Sequence, residues 1–203
     1  MEVLTVCLLL PGNIERAMVD VQRGLFARTG LASAMALPPL VPLAFLPPEN
    51  AGDRFHAALE GLNNRFTITG SGYVVKSGAL FLDAVWDDAG LDVRRRLAER
   101  LGEPAAAPSG CPPVHARQPR PFPPHPFPPY PGILLGAGLP IDLRPPVEPP
   151  RVRFSSFWYA LIRIASTAAA ERWWENCHWQ VEERIRSVTR GPRRAPGRES
   201  NER

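Results

Sequence analysis

The fold is indicated most strongly by two short apolar stretches, LVPLAFL at residues 40–46 and PGILLG at residues 131–136. Each stretch follows a cluster of prolines, and each has the length and the aliphatic content of a buried β-strand. Both are therefore predicted as inner strands of a sheet, and the elements around them indicate what kind of sheet it is.

Strand and helix patterns alternate around these two stretches. We expect Asn13 to cap the first helix and Gly30 to end it in the left-handed conformation. The order of elements predicts an α+β fold. The other predicted elements are a strand at 3–10, helices at 13–28, from 50 or 53 to 62, and at 87–101, two strands within 66–85 joined by a turn near 76–78, one long strand or two joined strands at 152–164, and a final element from 173 to about 185.

The net charge of +4 comes from the end of the chain. From Arg184 onward there are seven arginines and two glutamates, so the preceding part is close to neutral. A neutral body argues against a broad footprint for duplex nucleic acid. We predict that residues 187–203 form a disordered basic tail, with contact to RNA, an acidic partner or a membrane surface as the alternative.

Three cysteines, Cys7, Cys111 and Cys177, form no close pair. They predict neither a disulfide framework nor a metal site, and they fit a reducing compartment. The apolar start of the chain is too short to span a bilayer and carries Glu2 where a signal peptide has a base. The chain is therefore predicted to be cytoplasmic, with no membrane span and no cofactor.

Prolines concentrate between residues 104 and 150, which hold 17 of the 25. We predict that 104–131 is an extended Pro-rich loop between two lobes of a domain covering residues 1–186. The alternative is that its part at 118–131, with a repeated Phe-Pro-Pro pattern, docks on an aromatic groove of a protein partner.

The order of these elements, together with the two apolar stretches, resembles the 2H phosphoesterase superfamily, which includes bacterial 2′-5′ RNA ligase-like proteins. Residues 40–46 match the family's first His-x-Thr/Ser strand, and 131–135 match its second. Further similarity lies in ITGSGY at 68–73 and in the strands at 79–85 and 154–161. The resemblance implies two pseudo-symmetric lobes of antiparallel sheet, with flanking helices, around a central cleft.

Both signature motifs of that family are degenerate here. In the family, the two histidines act as general acid and base on a phosphodiester, and the hydroxyls hold phosphate oxygens. Leu40 and Gly132 stand at the histidine positions, and Pro42 and Leu134 at the hydroxyl positions. None of these can move a proton or donate a side-chain hydrogen bond. The ancestral phosphodiesterase or RNA ligase-like activity is therefore predicted to be lost.

Other residues remain as candidates for a function. His125 lies before the second motif and is the alternative catalytic residue of a rearranged site acting on 2′,3′-cyclic or 2′-5′-linked RNA. Tyr73 matches a family aromatic that can stack on a base, with core or rim packing as the alternative. The tryptophans at 173, 174 and 179 suit either a core or a surface for single-stranded RNA.

Three functions follow from these observations. The leading one is a non-catalytic binding or scaffolding module for a nucleotide, an RNA end or a protein partner. The alternatives are a phosphodiesterase with a rearranged site and a structural protein with no small ligand. The sequence leaves the oligomeric state open.

Overall fold

Eight strands, three helices and one 3₁₀ turn make up the part of the chain that the computed structural model describes, residues 2–62, 65–102, 129–137, 148–168 and 174–187. The helices are α1 (Gly12–Thr29), α2 (Ala51–Leu59) and α3 (Asp88–Leu101), and the 3₁₀ turn is Ala32–Met35. The strands are β1 (Glu2–Leu9), β2 (Leu40–Leu46), β3 (Ile68–Lys76), β4 (Ala79–Trp86), β5 (Ile133–Ala137), β6 (Val152–Phe154), β7 (Trp158–Ser166) and β8 (Cys177–Arg186).

The strands form one antiparallel sheet in the order β6-β3-β4-β5-β2-β1-β7-β8. It consists of two four-stranded halves that meet where β2 pairs with β5, and it curls into a half-barrel. The predicted α+β fold is confirmed. The strands that flank the Pro-rich stretch in the chain, β4 and β5, are neighbours in the same half.

The helix ends follow the predicted signals except at the start of α1 and at the end of α2, which stops at Leu59 and not at residue 62. Asn13 does not cap α1, because the helix begins at Gly12 with Pro11 at the cap position and without a side-chain cap. At its other end Gly30 has φ of 69° and donates its amide to the Phe26 carbonyl, as expected. Asp87 caps α3 through a 2.9 Å bond from the Gly90 amide.

The segment predicted as one long strand or two joined strands is two strands that do not pair with each other. β6 lies at one edge of the sheet beside β3, whereas β7 lies in the other half between β1 and β8. The final element is β8, the other edge strand, and it begins at Cys177 rather than 173.

Each face of the sheet carries its own buried cluster. The helices cover one face, where α1 buries Met18 and Leu25 and α2 buries Phe55. We call the opposite side the inner face; its core is formed by Val3, Cys7, Leu37, Leu40, Phe45, Ala79, Phe81, Leu134, Ala137, Ala160, Ile162 and Ile164. Among the described residues, no helix is long and apolar enough to cross a membrane.

Candidate functional site

The four motif positions form a compact block at the centre of the inner face. Leu40 of β2 stands directly opposite Leu134 of β5. From the antiparallel register and the alternation of side chains, we expect Pro42 to lie on the same face as Gly132, the residue directly before β5. Each predicted histidine position of one motif is therefore expected to lie against the predicted hydroxyl position of the other. Directly opposed residues of an antiparallel pair have Cα atoms about 4.5–5.5 Å apart.

This block is apolar and closed to water. Leu40 is fully buried and Leu134 is 3% exposed. Phe81 of β4 lies opposite Leu134, and Leu9 of β1 lies opposite Leu40, so the same row of the sheet continues the apolar surface on both sides. A phosphate placed here loses its hydration without gaining a side-chain donor from any of the four positions.

Hydrogen bonds from α1 and the 3₁₀ turn hold β5 in position, since that strand pairs with β2 at a single residue pair. Gln22, buried on α1, donates to the carbonyl oxygens of Leu37 and Leu135 at 3.3 and 3.4 Å. Ser33 donates to the Ala137 carbonyl and accepts from the Ala137 amide. The placement of the second motif strand therefore depends on buried side-chain contacts that are distant in sequence.

Gly132 is enclosed by atoms that leave no room for a side chain. A Cβ atom there would lie 2.6 Å from the Leu82 carbonyl oxygen and 3.0 Å from the Tyr130 ring. The preceding residue is fixed because Trp86 Nε1 donates to the Pro131 carbonyl at 2.8 Å. A histidine at this position would require movement of the β4 backbone.

We expect Gly132→Ala to lower the free energy of unfolding by about 1–3 kcal/mol, because the added methyl overlaps a backbone oxygen. Gly72→Ala is the matched control, since a Cβ there meets no atom within 4 Å. That control should be neutral or slightly stabilising, within about 1 kcal/mol. Equilibrium unfolding in urea measures both, and equal stabilities for the two variants would contradict the close packing at Gly132.

Two side chains of β1 bring heteroatoms to the inner face near the block. Cys7 lies opposite Pro42, and burial raises the pKa of its thiol well above the usual range. The thiol is therefore neutral and does not act as a nucleophile. Thr5 is fully buried, and its Oγ1 has no hydrogen-bond partner among the described residues. Neither group supplies an acid or a base.

Polar groups gather at the rim of the block, beside Gly132. The Tyr130 hydroxyl donates to Asp83 at 2.6 Å, and its ring packs 4.8 Å from that of Phe81. Lys76 Nζ lies 6.0 Å above the Tyr130 ring. Arg94 is partly buried near Tyr130, and this burial lowers the pKa of its guanidinium. We call Lys76, Asp83, Arg94 and Tyr130 the rim cluster.

Sequence reasoning missed the rim cluster. Its members come from β3, β4, α3 and the residue before the second motif, and nothing in their spacing brings them together. The position of Tyr130, two residues before Gly132, was the available signal. Sheet pairing supplies the rest, since β4 lies beside both β3 and β5.

Tyr73, predicted as a candidate for base stacking, lies on the other face of the sheet. It packs partly buried against the helix-side core, and its hydroxyl donates to the Glu148 carbonyl at 3.5 Å. Burial raises the pKa of this hydroxyl. Tyr73 is therefore not part of the block or of the rim cluster.

Some of the remaining predicted site residues lie in segments that the structure describes, and others lie outside those segments. His125, Trp173, most of the Pro-rich segment at 118–131 and the tail beyond Ser187 lie outside the described residues, so a catalytic His125, a docking Pro-rich segment and a disordered tail stay predictions. Trp174 packs against the inner-face core, whereas Trp179 is 44% exposed on β8.

Within the described segments, no three His, Cys, Asp or Glu side chains could hold a metal ion.

Comparison with solved structures identifies the architecture. The crystal structure of E. coli LigT in complex with 3′-AMP superposes with a TM-score of 0.51 at 14% identity, covering 91% of this chain and 97% of that one. The chain has the same fold as E. coli LigT. The crystal structure of TT0787 of Thermus thermophilus superposes with a TM-score of 0.49 at 20% identity, again with coverage of 91% and 97%. No protein-family model and no curated protein matches the sequence.

Proposed function

We propose that the protein is a non-catalytic form of the 2H fold that binds a nucleotide or an RNA end at the rim cluster. The observation that supports this proposal is the pairing of Leu40 with Leu134. These residues stand at a predicted histidine position and a predicted hydroxyl position, and neither side chain can transfer a proton. The chemistry of the block supports the loss of catalysis, and the chemistry of the rim supports binding.

The loss of both histidines is decisive for catalysis. General acid and general base each contribute about 10²–10⁴-fold to a rate, so losing both costs on the order of 10⁴-fold or more. The two heteroatoms that β1 brings to this face do not substitute for them, because the Cys7 thiol is held neutral and the Thr5 hydroxyl has no base among its described neighbours. Leu, Gly and Pro at these positions also remove the donors that would hold phosphate oxygens.

The rim cluster has the composition of a site for a phosphorylated ligand. Lys76 and Arg94 supply positive charge next to the Tyr130 ring, and phosphate groups bind such cations. Tyr130 is held in place by its bond to Asp83, so its ring is already positioned for contact with a ligand. The LigT structure that shares this fold holds 3′-AMP, which supports a nucleotide as the ligand class.

Titration with 3′-AMP by isothermal calorimetry tests the binding half of the proposal. We expect saturable binding that weakens as salt concentration rises, because the phosphate contacts are ionic. Lys76→Glu should weaken binding about tenfold or more, since it replaces an attraction for phosphate with a repulsion.

Arg23→Glu is the matched charge reversal. Arg23 lies on α1, where its exposed ion pair with Asp20 at 3.5 Å is worth little. This variant should bind 3′-AMP as the wild type does. Absence of binding by the wild type, or equal losses in both variants, would contradict a nucleotide site at the rim cluster.

A further inference from the structure

Trp158 and two arginines form a cationic cluster on the inner face, where the sheet ends at β8. Trp158 begins β7 and is half-buried, and Arg186 is its direct cross-strand partner on β8. Arg184 lies opposite Ala160, a member of the inner-face core. Because direct partners and alternate residues of a strand share a face, all three side chains lie on the inner face. We call Trp158, Arg184 and Arg186 the edge cluster.

Both guanidinium groups lie close to the same indole ring. The Cζ atoms of Arg184 and Arg186 are 5.1 and 5.6 Å from the Trp158 ring centroid. A cation within about 6 Å of an aromatic centroid is attracted to the negative face of the ring. This attraction holds two like charges beside one aromatic surface.

Neither of these arginines forms an ion pair with a described residue. The neighbouring acids of β8 are engaged elsewhere, since Glu182 pairs with Arg163 and Glu183 pairs with His56. Both arginines of the cluster are also exposed. Two exposed cations without a carboxylate partner favour an anion such as phosphate.

The edge cluster is separate from the rim cluster. Trp158 lies in the same row of the sheet as Leu40, with Leu9 of β1 between them. The rim cluster lies on the other side of the motif block, around β3 and β4. Four inter-strand spacings of about 4.8 Å lie between β7 and β4. A mononucleotide at the rim cluster therefore leaves the edge cluster free.

We propose that the edge cluster binds a single strand of nucleic acid, with a base stacked on Trp158 and the adjacent phosphates held by Arg184 and Arg186. Proteins that bind unpaired strands combine stacking aromatics with cations along the backbone in this way. An acidic peptide would pair with the arginines but has no planar group for the indole. The sequence after β8 adds five arginines and two glutamates, a further attraction for a polyanion. The site does not depend on the proposed nucleotide site.

Fluorescence anisotropy with labelled decamers of uridylate and of thymidylate tests the proposal on the full chain. Base faces and phosphodiesters are common to RNA and DNA, so both strands carry the required chemistry. We expect saturable binding of at least one of them, and the tighter of the two identifies RNA or DNA as the source.

Trp158→Ala should weaken binding of the strand about fivefold or more, because a base stacked on an aromatic side chain contributes at least that factor. Trp179→Ala is the matched control. Trp179 is 44% exposed near the other end of β8, away from both arginines of the cluster, and its loss should leave the affinity unchanged.

The joint variant Arg184→Gln and Arg186→Gln keeps the indole and removes only exposed charges. Each phosphate contact on a single strand contributes about 0.7 to the slope of log affinity against log salt, so the slope should become less steep by about 1.4. Arg95→Gln with Arg96→Gln removes the same charge from α3, where both arginines pair with Asp92, and should leave the slope unchanged.

Three results would overturn the proposal: no binding of either strand, wild-type affinity in Trp158→Ala, or an unchanged salt slope in the joint arginine variant. Displacement of the strand by an equal concentration of a glutamate decapeptide would also overturn it, because an acidic protein partner would then be the better occupant. Titration with 3′-AMP reports on the rim cluster and should give the wild-type affinity in Trp158→Ala, so failure at the edge cluster and failure at the rim cluster are distinguishable.

Discussion

Leu40→His is expected to destabilise the protein by about 4 kcal/mol. Leu40 is fully buried against Leu134 at the centre of the inner face. Loss of its packing costs about 2–5 kcal/mol, and a buried imidazole with an unsatisfied nitrogen costs about 1–3 kcal/mol more, partly offset because the ring refills part of the space. Urea unfolding at pH 7.5, monitored by tryptophan fluorescence, measures the effect.

The pH dependence of this variant follows from the same burial. An imidazole in an apolar, closed site has its pKa lowered in the folded state, since the charged form is disfavoured there. The unfolded chain then binds more protons than the folded chain as pH falls through about 6.5. The free energy of unfolding of Leu40→His should therefore fall further, relative to wild type, between pH 7.5 and 5.5.

Val85→His provides the control, because Val85 is on neighbouring β4 and is 70% exposed. It should change stability by about 0.5 kcal/mol or less and add little pH dependence. If Leu40→His matched this control in stability and in pH dependence, a histidine would be accommodated at the motif position, and the description of the block as dry and closed would be wrong.

The α+β fold could be predicted from the sequence, because the signals for its strands and helix ends are local. The order of those elements also resembles that of a known superfamily. Apolar strands bounded by prolines, the Gly30 end of α1 and the Asp87 start of α3 lie where they were predicted. The cap position of α1 is Pro11, two residues before Asn13, and its φ of −66° is the value that the proline ring imposes. Asn13 therefore lies in the first turn of the helix and not at its cap.

The face on which Tyr73 lies could not be predicted from alternation. A register shift between Gly70 and Gly72 inserts an extra residue into β3. Such a bulge reverses the sides of all residues that follow, so Tyr73 pairs with Leu82 on the helix side instead of facing inward. The two glycines signalled an irregular strand without showing its direction.

The closure around Gly132 and the rim cluster depend on contacts between distant parts of the chain. The Leu82 carbonyl and the bond between Asp83 and Tyr130 lie across a strand pair whose members are separated by the whole Pro-rich stretch. Features of this type are set by tertiary packing and have no signature in residue spacing.

We expect the protein to hydrolyse phosphodiesters very slowly or not at all. Leu40 and Gly132 stand at the predicted acid and base positions, and Pro42 and Leu134 offer no side-chain donors. We therefore expect hydrolysis to be slower by about 10⁴-fold or more than in an enzyme with both histidines. Substituting histidine at residue 132 should not recover it, because the Leu82 carbonyl oxygen occupies the space at 2.6 Å.

Incubation of the purified full chain with 2′,3′-cyclic AMP, followed by chromatographic detection of the ring-opened monophosphate, tests the loss of catalysis most directly. The expected result is product formation no faster than in buffer, even at protein concentrations in excess of the nucleotide. Turnover above that background, reduced to background by His125→Ala, would show that a rearranged site carries the chemistry and would contradict a non-catalytic role.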